Sequence, residues 1–549
     1  MATRAVSMLN LPTDLTSNNI FIPYTMKHLF LISILFLLFT NNPFAQTKVF
    51  KEVSNGISTE VKAIIQDGNL IGYLAFTELE RANADSFHYR VTIMDENLND
   101  IGVLNFTELK LDLEAVAFEQ DVLCLAYLKS NFIGYGDKKR RDRKSQATSG
   151  FVAVFTQFVS LDGKIINSNT VKANIKVLDV YARSWDHNTI GDGGLKHEVR
   201  LKNMTGKGFV CFYGDEGKNY LTVYSPEGKD IWHKDFMQAA DNFVMLPSEH
   251  DIYLLYKKTE KLLEGGYWLM GFNVDNNNAF AKYNLSDEKG RPFSVHTFEN
   301  DPVTGKPYIA GLVLHPRRGN ATLTVKQLAK GPYTGVFTVQ AKGPGTSKME
   351  RIISDWSSGS QAAFSTKGRY QASKTFVMFQ PVFKDYQGNT YFAGTSYGRK
   401  PKWGAISASV ITMPLIIPPL WILGMAGTQK AQPRDAMLFK QNEKGVLSYV
   451  NAIPTYHGRY YNGRIPLYLY TSSNDYYTVT NSETKTNYLV VSDKNNVHVY
   501  NVNQQKVIRT IPRKEGDVVT TIYPAKEGHI MVSEYNKQER SRKVSIESL

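Results

Sequence analysis

The densest group of side chains suited to acid–base chemistry surrounds Asp186 and His187, with His197 and Glu198 shortly after them. A carboxylate beside an imidazole can act as a general acid/base pair or hold a divalent ion. The spacing matches no established metal signature, and the Asp- and Gly-rich stretch between the pairs is typical of turns. We therefore expect no metal and no cofactor. Asp186, His187 and the distant His457 are weak candidates for the catalytic residues of a hydrolase or lyase.

A second segment concentrates aromatic and basic side chains around residue 460. Tyr and Arg dominate binding hot spots because they combine a large contact area with hydrogen-bonding groups. Tyrosine rings in such a segment could stack on sugar rings, and the alternative is an ordinary connection between two structural repeats. The predicted ligand-binding residues are Tyr456, His457, Arg459, Tyr460, Tyr461 and Arg464.

A third feature is a run of positive charge in a long connection, within a chain of formal net charge +13. Such a run usually forms a solvated loop, and its functional alternative is contact with an acidic polymer such as an acidic glycan. Nucleic acid is disfavoured because the run contains no aromatic side chain that could stack on bases. The basic residues are Lys138, Lys139, Arg140, Arg141, Arg143 and Lys144.

An apolar insertion occupies residues 404–430. Its central part, 406–427, has no charged residue, but Pro414, Pro418 and Pro419 would break the hydrogen bonding of a helix. A membrane-spanning helix is therefore disfavoured. Two interpretations stay open: a folded loop packed against the domain, or an apolar loop with basic flanks that docks on an envelope protein or an anionic lipid surface.

Residues 26–45 have the layout of a secretory signal peptide. A basic start is followed by the apolar run Leu29–Phe39 and by a small residue, Ala45, at the cleavage position. The apolar run is shorter than the roughly 20 residues that span a membrane. Residues 1–25 are then a misassigned upstream extension, and the mature protein is 46–549. We expect an exported protein, periplasmic or associated with an outer membrane.

The mature region repeats one pattern, in which short apolar or aromatic runs alternate with polar turns. Aromatic residues make up 12% of the chain, which favours strands, and the turns contain the Gly, Asn and Asp that tight antiparallel connections need. Helical periodicity is nearly absent. The runs form about eight groups of roughly four strands, near 57–108, 111–174, 195–237, 241–285, 293–354, 374–453, 465–512 and 516–549.

The two ends of this region complement each other. The last group has only about three runs, and the strand Lys48–Val53 has no partner near it in the sequence. Closure of a ring by the N-terminal strand explains both features and removes exposed strand edges. The predicted fold is all-β, a β-propeller of about eight irregular blades. Seven blades stay open as an alternative because the fifth group is the least clear.

Only two cysteines occur, Cys124 and Cys211, so a disulfide framework does not hold this protein together. Both lie in apolar runs that are typical of strands. We expect two buried, unpaired thiols. One bridge between neighbouring repeats is the alternative, if the two strands align.

One group carries a family resemblance. The segment Lys384–Ser396, which begins Lys-Asp-Tyr-Gln-Gly-Asn-Thr-Tyr, resembles the D-x-x-G-N-x-Y-x-x-G-x-T repeat of bacterial seven-bladed propellers. The overall pattern is similar to exported, uncharacterised propellers of Bacteroidota. The resemblance covers about one blade and implies the fold rather than an activity.

These features favour an exported, non-catalytic binding or scaffold propeller of the cell envelope. Its partner would be an envelope protein, an anionic lipid surface or an acidic glycan. The alternative is a hydrolase or lyase that acts on polysaccharide or peptide at the mouth of the propeller. Propellers host many unrelated functions, so the fold alone does not decide between them.

Overall fold

The structure, a computed structural model, is built from β-strands joined by turns and loops. It describes residues 47–549 apart from 52–57, 67–68, 84, 132–149, 175–198, 216–217, 239, 259–265, 277–279, 316–321, 325–330, 332, 343–348, 359–360, 402–428, 457–463 and 467–475. Among the described residues there are 35 strands and one short 3-10 helix, Trp356–Ser358, and no helix there is long and apolar enough to cross a membrane. Contacts group Gln46–Leu549 into one unit. The predicted segments 1–25 and 26–45 lie outside the described residues.

The strands of the first half of the chain are β1 (Thr47–Lys51), β2 (Ser58–Gln66), β3 (Asn69–Arg81), β4 (Ser86–Asp95), β5 (Asp100–Glu119), β6 (Val122–Ser130), β7 (Val152–Ser160), β8 (Ile165–Ala173), β9 (Arg200–Met204), β10 (Gly208–Gly214), β11 (Asn219–Tyr224), β12 (Asp230–Phe236), β13 (Ala240–Pro247), β14 (Asp251–Lys258), β15 (Tyr267–Asn273) and β16 (Phe280–Leu285).

The strands of the second half are β17 (Phe293–Asn300), β18 (Pro307–Val313), β19 (Thr322–Thr324), β20 (Gly335–Ala341), β21 (Met349–Asp355), β22 (Arg369–Tyr370), β23 (Thr375–Lys384), β24 (Thr390–Pro401), β25 (Gln429–Gln441), β26 (Leu447–Ile453), β27 (Arg464–Pro466), β28 (Tyr476–Asn481), β29 (Thr486–Ser492), β30 (Asn496–Asn501), β31 (Lys506–Pro512), β32 (Lys514–Glu515), β33 (Val518–Pro524), β34 (His529–Asn536) and β35 (Ser541–Ser548).

The described strands form eight antiparallel blades. Blade 1 is β2–β4 with the first half of β5, and blade 2 is the second half of β5 with β6–β8. Blades 3 and 4 are β9–β12 and β13–β16. Blade 5 is β17, β18, β20 and β21, blade 6 is β23–β26 with the short β22, and blade 7 is β28–β31. Blade 8 is β33–β35 with β1 and the short β32, and the predicted β-propeller is confirmed.

The ring is closed by the N-terminal strand, as predicted. Strand β1 pairs antiparallel with β35, placing Val49 opposite Lys543 and Phe50 opposite Arg542. The strand runs from Thr47 to Lys51 rather than from Lys48 to Val53. The C-terminal part of the chain thus supplies three strands of blade 8, and the N-terminal part supplies the fourth.

Strand β5 belongs to two blades. Its residues up to Leu109 pair with β4 of blade 1, and those from Lys110 onward pair with β6 of blade 2. The sequence around this point contains no glycine or proline, so the chain crosses between the blades without a turn.

Each interface between neighbouring blades holds one cluster of buried apolar side chains, and the clusters run around the whole ring. The interface between blades 5 and 6, for example, contains Phe379, Phe392 and Phe439 in edge-on contacts. The last cluster joins Leu70 of blade 1 to Ile546 of blade 8. Burying one such side chain contributes about 1.5–3 kcal/mol, so these interfaces hold the ring together.

Cys124 and Cys211 lie on the second strands of blades 2 and 3, in the cluster between these blades. Both are buried and both are free thiols. Burial raises the pKa of Cys124 well above its ordinary value and that of Cys211 to about 12. The two side chains therefore act as small apolar groups of the core.

Blades 2, 3 and 6 share one five-residue turn, which explains the family-like motif at residue 385. The Asp385 side chain accepts the backbone N–H groups of Gln387 (2.9 Å) and Asn389 (2.8 Å). Gly388 has φ = +80°, a conformation that favours glycine. The same backbone pattern, with a glycine at the fourth position, recurs at Ser160–Lys164, Ser225–Lys229 and Asn442–Val446.

The connections divide between the two faces of the ring because the strands of each blade are antiparallel. Connections from the first to the second strand and from the third to the fourth leave one face, which we call the short-turn face. Connections from the second to the third strand, and from each blade to the next, leave the other, which we call the long-loop face. The longest connections all belong to the long-loop face: 131–151, 174–199, 314–334, 402–428 and 454–475.

Candidate functional site

Most of the candidate residues predicted from the sequence lie outside the described residues, but the strands that carry them are described. The basic run 138–144 connects β6 to β7, and Asp186 and His187 connect β8 to β9. The apolar insertion connects β24 to β25, which begins at Gln429 and so includes the last two residues of the predicted segment 404–430. All three connections start and end on the long-loop face.

The fourth candidate segment also starts on this face, between blades 6 and 7. His457, Arg459, Tyr460 and Tyr461 lie outside the described residues. The backbone of Arg464 belongs to β27, which pairs with β19 and places Arg464 opposite Thr324. Because β19 lies in the long connection of blade 5, this small sheet joins two long connections of the same face.

Tyr456 is the one predicted ligand-binding residue whose side chain is described, and it is 56% exposed. The Lys494 ammonium lies 5.9 Å from the centre of its ring. The Tyr456 N–H donates to the Asp493 carboxylate (2.8 Å), and the Tyr456 carbonyl accepts the Lys494 N–H (3.1 Å). An exposed aromatic ring beside a cation suits a sugar ring that carries an acidic group.

Asp493 fixes this part of the face. Its buried carboxylate accepts the N–H groups of Asn495 and Asn496 at 2.7 Å each and lies 3.2 Å from His498 Nε2. Burial alone would raise the pKa of Asp493, but the backbone N–H donors and His498 outweigh it and lower the pKa. The carboxylate is therefore engaged in holding the turn that presents Tyr456 and Lys494.

A buried ion network fixes the long-loop face between blades 4, 5 and 6. Arg291 donates through Nε to Asp287 (2.5 Å), through Nη2 to Asp355 (2.8 Å) and through Nη1 to Thr334 Oγ1 (3.0 Å). Burial alone would raise the pKa of Asp355. Hydrogen bonds from Ser357 and Arg291 outweigh it and lower the pKa to about 2. Such a network holds the bases of neighbouring connections in place.

The first strands of successive blades contact one another around the central channel, where sequence reasoning located no site. Lys202 on β9 and Glu299 on β17 lie two blades apart, and both side chains are exposed to solvent. Burial lowers the pKa of Lys202 and raises that of Glu299, while each charge acts on the other in the opposite direction. Both side chains thus reach solvent, while neighbouring protein removes part of their hydration.

His296 occupies a bulge in the inner strand of blade 5, where the register with β18 shifts between Val295 and Thr297. Its Nε2 atom lies 3.2 Å from Ser294 Oγ. Burial lowers the pKa of His296 to about 4, and a backbone hydrogen bond with Phe379 acts in the opposite direction. Perturbed groups of this kind are enriched at functional sites, but structural cores contain them too.

The sequence could not reveal these channel residues, since Lys202 and Glu299 are brought together only by ring closure. The one available signal was a charged residue in a short run of strand-forming residues, and such residues are common on exposed strands. Within the described ranges, no group of three or more His, Cys, Asp or Glu residues is placed to hold a metal ion. The hydrolase or lyase alternative rests on Asp186, His187 and His457, so it stays a prediction.

No protein family model matches the sequence, and no curated protein matches it. Among solved structures the chain is similar to the Dos1 propeller, with 9% identity and a TM-score of 0.41 over 91% of this chain and 94% of that one. It is also similar to the WD40 domain of SCAP from fission yeast, with 7% identity and a TM-score of 0.35 over 89% and 98% of the two chains. It is similar as well to apo AztD from Citrobacter koseri, with 8% identity and a TM-score of 0.35 over 87% of this chain and 96% of that one. At this level of similarity, these proteins say nothing about what the chain binds.

Proposed function

We propose that this protein is an exported, non-catalytic binding propeller of the cell envelope, which holds an acidic glycan on its long-loop face. The observation that carries the proposal is the distribution of connections. The basic run, the aromatic segment and the apolar insertion, predicted separately as contact regions, all connect strand ends on one face. The short-turn face carries compact turns such as Asp385–Asn389.

The described part of this face supports an acidic sugar as the ligand class. Tyr456 offers an exposed ring, and Lys494 supplies a positive charge beside it. Asp493 holds the neighbouring backbone, so these side chains are presented by a fixed turn. A preorganised surface lowers the entropic cost of binding. The formal net charge of +13 favours approach of an acidic polymer.

The test measures binding of residues 46–549 to polygalacturonate, to a neutral polysaccharide and to vesicles with anionic lipid, at low and high salt. In one variant the six basic residues of 138–144 are changed to Gln. The matched control changes six exposed lysines of the short-turn face to Gln: Lys164, Lys229, Lys306, Lys444, Lys485 and Lys506. Both variants lose the same charge, so they differ in the face that is altered.

We expect saturable binding to polygalacturonate that weakens at least about 10-fold in the first variant and less than about 3-fold in the control. Equal weakening in both variants would mean attraction by net charge alone and would contradict a site on the long-loop face. Binding to anionic vesicles without binding to polygalacturonate would replace the glycan with a membrane surface. Export is tested separately, by determining the N-terminus of the protein recovered from the envelope, which we expect at Gln46.

A further inference from the structure

A second group of aromatic and basic side chains lies toward the long-loop face, where blade 4 meets the connection from blade 3. The Lys282 ammonium donates to Gln238 Oε1 (3.0 Å) in that connection. It also lies 5.2 Å from the centre of the Trp268 ring and 5.8 Å from that of Tyr256. Trp268 and Tyr256 lie opposite each other near the long-loop ends of β15 and β14. These contacts join the four side chains into one cluster.

The cluster is held in place from the core. Tyr256 is fully buried, and its hydroxyl also donates to Gln238 Oε1 (3.2 Å). Burial raises the pKa of Tyr256 to about 12, so the hydroxyl keeps its proton and stays a donor. The backbone carbonyl of Gln238 accepts the side-chain amide of Asn219 (3.0 Å). The acceptor of Lys282 is therefore fixed at both its side chain and its backbone, which lowers the entropic cost of binding a ligand there.

No described carboxylate neutralises Lys282. Its side chain is exposed, and its described contacts are those with Gln238 and the two rings. Asp235 on the neighbouring strand β12 lies opposite Tyr220, on the side of blade 3 that packs against blade 2, and it is 3.8 Å from Lys218. An ammonium has three N–H donors, and Gln238 accepts one. Lys282 thus presents a positive charge and further donors to solvent.

Met237 places an apolar surface in the same connection. It precedes Gln238 and is 81% exposed, more than any other large apolar side chain that the structure describes. Its neighbour Phe236 packs against the cluster between blades 3 and 4, which anchors the segment. A cation beside an apolar surface suits a sugar that carries a carboxylate, because such a ligand has both an acidic group and a C–H face. Tyr456 and Lys494 combine the same two features on blade 7.

We propose that Lys282 and Met237 form a second binding site, for another acidic residue of the same glycan chain. The sugar carboxylate contacts the Lys282 ammonium, and the C–H face of the ring packs against the Met237 side chain. This inference rests on the proposed function. The site on blade 4 and the one at Tyr456 and Lys494 on blade 7 lie three blades apart on the long-loop face. A long chain that occupies both binds more tightly than either contact alone allows.

The test measures binding of polygalacturonate to residues 46–549 with Lys282→Gln, Lys282→Arg and a control. The control, Lys229→Gln, removes the same charge from an exposed position on the short-turn face. We expect Lys282→Gln to weaken binding at least about 10-fold, Lys282→Arg to stay within about 3-fold and Lys229→Gln to change it less than about 2-fold. The midpoint of urea unfolding should be the same in Lys282→Gln as in the unmodified protein, because Lys282 is exposed.

A fluorescence measurement reports on the site itself, since Trp268 is one of six tryptophans and lies beside Lys282. Saturating polygalacturonate should change the tryptophan emission of the unmodified protein, neutral dextran should not, and Trp268→Phe should lose most of the change. The proposal is overturned if Lys282→Gln binds polygalacturonate like the unmodified protein, or if Trp268→Phe keeps the full change. Binding that is insensitive to Lys282 would overturn this inference alone, whereas absence of saturable binding would overturn the proposed function as well.

Discussion

Thr297 of blade 5 and Val382 of blade 6 form two hydrogen bonds across the interface between their blades. The Thr297 hydroxyl donates to the Val382 carbonyl (2.7 Å) and accepts the Val382 N–H (3.2 Å). Both residues lie beside bulges, since the register of β17 shifts at Val295/Thr297 and that of β23 at Phe379/Val382. One side chain thus satisfies both backbone groups of a residue on the unpaired inner edge of the neighbouring blade.

Replacing Thr297 with Val keeps the shape of the side chain but leaves both backbone groups of Val382 without these partners. We expect the free energy of unfolding to fall by about 2–3 kcal/mol in urea denaturation. The control is Thr107→Val, at an exposed position where the hydroxyl contacts His88 Nδ1 (2.8 Å), and we expect it to cost less than about 0.5 kcal/mol. Equal effects of the two changes would contradict the role of Thr297 at the interface.

Gly368 and Gly388 separate backbone strain from steric conflict. Both have positive φ, +74° and +80°. A Cβ at Gly368 would lie 2.6 Å from Nε1 of the buried Trp356, whereas one at Gly388 would meet open space. We expect Gly388→Ala to lower the unfolding free energy by about 1 kcal/mol, and Gly368→Ala to lower it by about 1–3 kcal/mol more. Similar losses measured for both would show that Trp356 does not pack against this turn.

His296 predicts a pH dependence of stability. Its pKa is about 4 in the folded protein and 6.5 when unfolded, so between these values only the unfolded chain takes up the proton. Stability should therefore fall as the pH decreases from 6.5 to 4, by no more than about 3 kcal/mol from this group, and His296 should contribute no slope above pH 7. Urea denaturation of His296→Gln should show a smaller slope in that window than the unmodified protein. The matched control is His233→Gln, at an exposed position. An equal reduction of the slope by both changes would show that burial of His296 is not its cause.

Asp355 and Lys289 test the buried ion network. Asp355→Asn removes the charge that pairs with buried Arg291, and we expect a loss of about 3 kcal/mol at pH 7. Because its pKa is lowered to about 2, the contribution of Asp355 is present above pH 4 and declines as the pH falls toward 2. Lys289 also contacts Asp355 (3.4 Å), but its side chain is 69% exposed. Lys289→Gln should therefore change stability by less than about 0.5 kcal/mol. A larger loss would show that the exposed Lys289, and not the buried Arg291, is the main partner of Asp355.

Much of the fold was predictable because turn residues punctuate the sequence. The predicted groups 241–285 and 374–453 lie within a few residues of blades 4 and 6, most of whose turns contain Gly, Asn or Asp. The fifth group, which left seven blades open, is a full blade. It was hard to recognise in the sequence because residues 314–334 separate its second strand from its third.

The contacts that the sequence could not predict are those formed by closure of the ring. The contact of β19 with β27 joins segments about 140 residues apart, and no local pattern indicates it. Lys202 and Glu299 face each other only because blades 3 and 5 flank the same channel. Of the predicted ligand-binding side chains, the structure describes Tyr456 and confirms that it is exposed. The roles proposed for the others stay predictions.

The most direct test of the account is hydrogen exchange of the first strand in residues 46–549, because closure by β1 defines the ring and hence the two faces. Backbone amides of Thr47–Lys51 that pair with β35 should exchange slowly, together with their partners in Ser541–Ser545. Deleting residues 46–51 should accelerate exchange in β35 as its outer edge becomes free. Fast exchange of Thr47–Lys51 in the intact protein, at the rate of an unstructured segment, would contradict the closed eight-bladed ring.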